Sequence, residues 1–154
     1  MDDPPDLSMR PVAQGDIPAL GAGCLADRPL NAVEAVVGTA LRLARTRRGV
    51  GVVAVRDGAI VGFGMLTLWP HAAEISDLAV TPAQRGRGVG AAMIAHLAEL
   101  ARQMHAERVE IGVAAGNTRA LALYRRLGFV EARVLALNPE SGPEPVLYLS
   151  KALR

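Results

Sequence analysis

The chain is short of cysteine, lysine, histidine and aromatic residues, and each shortage removes a class of function. Cys24 is the single cysteine among 154 residues, so an internal disulfide is excluded and no thiolate cluster exists for a metal. The three histidines, His71, His96 and His105, are scattered and make up no ligand set. Aromatic side chains are 3% of the total, too few for a platform on which the bases of single-stranded nucleic acid stack. Lysine occurs once, at Lys151, and seventeen basic residues against fifteen acidic ones leave a net charge of +2. That balance is not the footprint of a DNA-coating protein. No apolar run approaches the roughly 18–20 residues that span a bilayer. The opening Met1-Asp2-Asp3-Pro4-Pro5-Asp6 has neither the basic nor the apolar region of a secretion signal. The expectation is a soluble, cytoplasmic protein with no nucleic-acid, membrane or metal partner.

Hydrophobic residues, by contrast, are plentiful at 51%, with 21% charged, which rules out disorder as the main state. A chain of this length suits one domain, expected over residues 7–154 behind a disordered N-terminal tail, residues 1–6. Leu7 to Val12 predicts a strand. Asp16 predicts the N-cap of a helix entering at Ile17-Pro18. Asn31 with Glu34 resembles a capping box, followed by Val33, Val36, Val37, Ala40, Leu41 and Ala44 at helical spacing. Arg45, Arg47 and Arg48 at the end of that helix read as complements to its dipole. Val50–Val55 and Ala59–Leu68 predict two strands joined by Arg56-Asp57-Gly58, a hairpin signal. Ala73–Val80 is a third strand in this run, beyond Trp69-Pro70-His71. Val89–Met104 is a helix with Met93, Ile94, Leu97, Leu100, Ala101 and Met104 on one face. Val109–Val113 is a strand, and Asn117–Leu127 a helix closed by Gly128. Phe129–Leu137 and Val146–Leu149 are strands separated by the loop Asn138–Pro143. The order β α α β β β α β α β β is that of a mixed α/β sheet domain.

The segment that carries chemistry is Val80-Thr81-Pro82-Ala83-Gln84-Arg85-Gly86-Arg87-Gly88-Val89-Gly90-Ala91, between a strand and a long helix. Three glycines at alternate positions let the backbone bend and leave its N–H groups unshielded. With the free amides of the helix start they form an anion site, to which Arg85 and Arg87 add charge. A diphosphate is the natural guest. The lysine and hydroxyl of a P-loop are absent. The dinucleotide fingerprint fits as Gly86-x-Gly88-x-x-Ala91, with Glu107 or Glu110 about twenty residues on. Against it, the glycines follow the strand at a distance and too little chain remains for a second βαβ half. A plain glycine-rich turn with solvated arginines is the remaining alternative.

Taken together these residues resemble the GCN5-related N-acetyltransferase (GNAT) superfamily. Arg85-Gly86-Arg87-Gly88-Val89-Gly90 is similar to the family's Arg/Gln-x-x-Gly-x-Gly/Ala signature for the pyrophosphate of acetyl-CoA. Asp77-Leu78-Ala79-Val80-Thr81-Pro82 looks like the end of its fourth strand. The run from Asn117 through Tyr124 to Gly128-Phe129 is similar to its second hallmark, Asn-x-x-Ala-x-x-x-Tyr-x-x-x-Gly-Phe. The resemblance covers nearly the whole chain. It implies a mostly antiparallel sheet of about seven strands flanked by about four helices, splayed between the fourth and fifth strands.

The resemblance further implies that acetyl-CoA is co-substrate, with Arg85, Gly86, Arg87, Gly88, Val89 and Gly90 on its diphosphate. Backbone groups of Leu78 and Val80 would pair with the pantetheine arm, the Leu78 N–H stabilising the oxyanion. Gly112 eases the strand divergence or is a packing accommodation. Asn117 either touches the pantetheine arm or caps its helix. Tyr124 is the candidate general acid, protonating the thiolate as the carbon–sulfur bond breaks; spacing alone makes it a core residue beside Leu121 and Leu127. Glu74 is the candidate general base, at the offset used in related histone acetyltransferases, or else a polar residue on a solvated strand face. Asp77 should face the opposite side unless a bulge resets the register. Cys24 lies outside both motifs, so direct transfer in a ternary complex is expected. The acceptor is expected to be a small-molecule or peptide primary amine, selected by residues 20–48, the Trp69-Pro70-His71 turn and residues 138–145. A homodimer is allowed by the resemblance, and a non-catalytic acyl-CoA-binding or sensing module is the rival function.

Overall fold

The computed structural model describes residues 6–135 and 145–154. The tail expected over residues 1–6 therefore lies outside the described residues except for Asp6, whose carboxylate is 3.3 Å from Arg56 Nε. The loop expected over residues 138–143 lies outside them as well.

Seven strands make one sheet: β1 (Leu7–Pro11), β2 (Gly49–Arg56), β3 (Ala59–Trp69), β4 (Ala72–Val80), β5 (Arg108–Ala114), β6 (Val130–Leu135) and β7 (Val146–Ala152). Their order is β1-β2-β3-β4-β5-β7-β6. All neighbours are antiparallel except the parallel pair β4–β5. The helices are α1 (Ile17–Ala22), α2 (Leu30–Arg45), α3 (Val89–Gln103) and α4 (Thr118–Arg126). This is the mixed α/β architecture expected from the chain, and its single parallel pair excludes the doubly wound dinucleotide fold.

The β-branched runs become strands because both faces of the sheet are covered. On one face α3 lays Ile94, Leu97 and Ala101 against Ala73, Ile75, Val109 and Ile111. On the other, Leu20 of α1 and Val33, Val37 and Ala40 of α2 meet Val53, Phe63 and Met65. Each large side chain so buried contributes about 1.5–3 kcal/mol. The β2–β3 turn has Asp57 at φ 52° and Gly58 at φ 77°, the pair of left-handed residues that matches the strand twist.

Two helix starts differ from expectation. Asp16 occupies the position before α1 but makes no cap bond to it. Its carboxylate turns back to the Arg10 guanidinium, both contacts at 2.9 Å, and to the Ala13 N–H at 2.8 Å, a two-pronged charged pair that outweighs one neutral cap. Helix α2 begins at Leu30 behind Pro29, with no side-chain cap, so Asn31 lies inside the first turn and forms no capping box. The ring of Pro29 sets the chain entry at φ −64°.

The feature that positions the site is a divergence. β4 and β5 pair only from Ala72↔Arg108 to Ile75↔Ile111. Beyond that point β4 stays with β3 as far as Val80, and β5 stays with β7 as far as Ala114. A bulge falls where the separation begins. Asp77 and Leu78 together oppose Gly64, between the pairs Met65↔Ser76 and Phe63↔Ala79, and Asp77 has φ 55°. Asp tolerates this left-handed conformation better than most residues.

Candidate active site

The glycine loop lies at the C-terminal end of β4. Gly86 and Gly88 have φ 77° and 82°, the left-handed region in which an L side chain is strained. A Cβ at either would meet nothing within 4 Å, so it is backbone conformation and open space, not crowding, that calls for glycine. Gly88 is the N-cap of α3 and no side chain caps the helix, which leaves the first amides of the helix for a ligand. Val89, buried among Ala54, Val61 and Met93, anchors this end of the helix to the sheet. Arg85 and Arg87 are exposed. Arg85 Nε donates to the Val80 carbonyl at 3.2 Å.

The gap between β4 and β5 is a cavity of about 250 Å³ lined by Arg28, Ser76, Asp77, Leu78, Gly112 and Tyr124, with Ile75 and Ile111 at its base. Tyr124 is 8% exposed, and its ring lies 6.2 Å from that of Phe129, centroid to centroid. It is thus both a core residue and a wall of the cavity. Burial pushes its phenol pKa up from the ordinary value, so the proton is retained through neutral pH. Asp77 accepts from Arg28 Nη1 at 3.0 Å. Because of the bulge, its carboxylate reaches the side of the sheet where the α1–α2 connection lies, the side opposite α3. Gly112 sits beneath Tyr148, where a Cβ would come within 3.0 Å of the ring; this is the packing reading of that glycine, beside a place in the cavity wall. Asn117 Oδ1 accepts from the Ala120 N–H at 3.2 Å, so the cap reading is realised.

Glu74 is elsewhere. It accepts from Trp69 Nε1 at 2.9 Å and lines a second cavity, of about 300 Å³, with Trp69, Arg108, Glu110, Arg133 and Tyr148. The structure therefore does not bring Glu74 and Tyr124, the two catalytic candidates, into one pocket. The carboxylate it places on the cavity wall with Tyr124 is that of Asp77.

The profile of the Acetyltransferase (GNAT) family matches residues 27–129 of the chain. The chain belongs to this family. Among curated relatives, the streptothricin acetyltransferase of Streptomyces lavendulae is 35% identical over 99 residues, which is 61% of this chain and 52% of that protein. The mycothiol acetyltransferase of Clavibacter sepedonicus is 40% identical over 78 residues, 51% of this chain and 26% of that protein. The chain thus spans about half, or less, of the length of these relatives. A solved GNAT acetyltransferase of Elizabethkingia anophelis, with acetyl-CoA bound, has the same fold. It superposes with a TM-score of 0.74 at 17% identity, covering 97% of this chain and 99% of that one.

Within the GNAT frame, Arg28 lies in the stretch 20–48 that the sequence marked only as a region for acceptor selection, and its place at the gap was not singled out. It belongs to neither motif, and only the long-range approach of the α1–α2 connection to β4 brings it to the gap. Cys24 is buried, and its thiol is pushed up to about 11, chiefly by desolvation, which suppresses the thiolate. Among the described residues no group of three His, Cys, Asp or Glu side chains could hold a metal, and no helix is long and apolar enough to cross a membrane.

Proposed function

We propose that the chain transfers the acetyl group of acetyl-CoA to a primary amine by direct attack in a ternary complex. The observation that carries this reading is the early end of β4–β5 pairing at Ile75↔Ile111, which leaves a gap walled by Tyr124 and Asp77. The residues fit such a carrier. The cradle at Gly86 and Gly88 is open, and the β5-facing edge of β4 past Ile75 has no strand partner among the described residues. Bound acetyl-CoA supplies an activated thioester.

In this reading Gly86, Gly88, Val89 and Gly90 present backbone amides to the diphosphate, with Arg85 and Arg87 at the rim. The backbone of Leu78 and Val80 takes the pantetheine arm as an added strand, and pairing at Val80 frees the Arg85 guanidinium to face the diphosphate. Asn117 holds the start of α4 beside the arm. Asp77 accepts a hydrogen bond from the acceptor nitrogen and orients it. The nitrogen adds to the thioester carbonyl, whose oxyanion accepts from the Leu78 N–H, and the carbon–sulfur bond breaks as the carbonyl re-forms. Tyr124 gives its proton to the departing sulfur, and the proton lost by the nitrogen passes to water. Glu74, in the other cavity, takes no proton step, and the buried Cys24 carries no acetyl group. A cytoplasmic location belongs to the same reading, with no nucleic-acid or membrane partner, and a homodimer is compatible with it.

The test is thiol release from acetyl-CoA against a panel of primary amines, with the acetylated product followed by mass spectrometry. Equimolar thiol and N-acetyl product are expected with an accepted amine. Tight acetyl-CoA binding without thiol release for any amine would overturn catalysis in favour of a non-catalytic acyl-CoA-binding module.

A further inference from the structure

Two carboxylates, Glu74 and Glu110, and two guanidiniums, Arg108 and Arg133, line the second cavity, and they pair unevenly. Glu110, 8% exposed, accepts from Arg108 Nε at 3.1 Å and from Arg133 Nη1 at 3.2 Å, and the Arg133 guanidinium stacks 4.5 Å from the centre of the Tyr148 ring. Both arginines are thereby committed. Glu74 is the register neighbour of Glu110 across β4–β5, so two carboxylates stand side by side on the face opposite α3. Like charges so placed repel unless each is compensated. Glu74 has the Trp69 indole N–H at 2.9 Å and, among the described residues, no cation within 4.0 Å. Trp69, despite that bond, is 57% exposed. An oriented carboxylate without a cation, beside the exposed indole of Trp69, has the chemistry that recognises an ammonium group.

The cavity also adjoins the gap. Ser76 and Gly112, two residues along the same strands from Glu74 and Glu110, line the gap cavity, and Tyr148, over Gly112, lines the other. Glu74 and Asp77 are three residues apart on β4, and the bulge at Asp77 keeps them within the roughly 10 Å that three regular strand residues span.

We propose that the second cavity is an acceptor subsite in which Glu74, beside Trp69, binds a second ammonium group within roughly 10 Å of the nitrogen that is acetylated, the span of three strand residues, so that the acceptor is of the diamine or polyamine class. The subsite deepens the proposed acetyl transfer and rests on it for the word acceptor. Two measurements keep the readings apart. Trp69 is the single tryptophan, so its fluorescence reports on this cavity in the absence of acetyl-CoA. Titration with α,ω-diaminoheptane is expected to give a saturable change, with n-heptylamine about tenfold to a hundredfold weaker and Glu74→Gln weakening the diamine by a similar factor, as one charged hydrogen bond implies. In the thiol-release assay the diamine is expected to exceed the monoamine in kcat/KM through KM, and Glu74→Gln to collapse that preference toward unity. Equal binding of the two amines, or wild-type diamine binding by Glu74→Gln, overturns the subsite. A normal titration with no turnover of either amine leaves the subsite standing and refutes the acetyl transfer.

Discussion

Tyr124 packs its ring against Phe129 while the same side chain closes one wall of the β4–β5 gap. The two roles support each other. Burial in the core raises the phenol pKa, and a phenol that stays protonated can serve as an acid toward a leaving thiolate. Tyr124→Phe keeps the ring and its packing and removes only the hydroxyl. It is expected to lower kcat by about 10²–10⁴-fold with acetyl-CoA affinity retained, as read by thiol release and calorimetry. An unchanged kcat would strip Tyr124 of the acid role. The direction of the shift also places any descending limb of wild-type kcat due to this group above pH 10, the range in which a free alkylamine itself becomes neutral. Spacing alone made Tyr124 a core residue, which it is, and only the resemblance of its surroundings to a family hallmark suggested an acid. The position of Glu74 was not legible, because strand alternation says which side of a sheet a residue faces and not which cavity it enters.

At the scale of elements, the glycine loop depends on conformation at some positions and on space at others. A side chain at Gly88, φ 82°, costs about 1–2 kcal/mol of left-handed strain and tilts the amides that precede α3. At Gly90, inside α3, a new Cβ meets only Val80 Cγ2, at 3.9 Å. Gly88→Ala is therefore expected to lose stability in urea titrations and to weaken acetyl-CoA binding in calorimetry. Gly90→Ala should gain about 0.5–1 kcal/mol from helix propensity and keep its affinity. Matching affinities for the two variants would contradict the amide-cradle reading. The hairpin at Asp57-Gly58 and the apolar face of α3 could be read from the chain because local chemistry alone determines them. The start of α2 and the role of Asp16 could not: a proline and a distant arginine, Pro29 and Arg10, compete with the local cap signal. The bulge at Asp77 could be raised only as an alternative that would reset the register; it lies in the pairing of β4 with β3, and no residue of Glu74-Ile75-Ser76-Asp77-Leu78 announces it.

For the whole molecule, four register pairs between β4 and β5 join the two halves of the sheet, and the gap beyond them is the splay that the family resemblance implied. Stability of this frame is tied to pH through groups that folding shifts in opposite senses. The Asp16 carboxyl, held by Arg10 and the Ala13 N–H, titrates below its ordinary value near 3.8. Its folded pKa is depressed, so its contribution is present above that value and is lost as pH falls through the lower folded one. The Tyr124 phenol, raised by burial from near 10, contributes below that value and ceases to as pH rises through its folded pKa. With the Cys24 thiol, raised by burial from 9.0 to about 11, the stability curve should be flat between about pH 4 and 9 and fall on both sides. Asp16→Asn tests the acid side. It removes the charge that holds the half-exposed Arg10 guanidinium and leaves the Ala13 N–H a weaker, neutral acceptor, and should cost about 1 kcal/mol at pH 7. Below pH 4 the variant has no carboxyl to protonate at this position, so its unfolding midpoint in urea should decline less steeply than that of the wild type. Parallel acid declines for the two proteins would show that Asp16 does not link folding to protons.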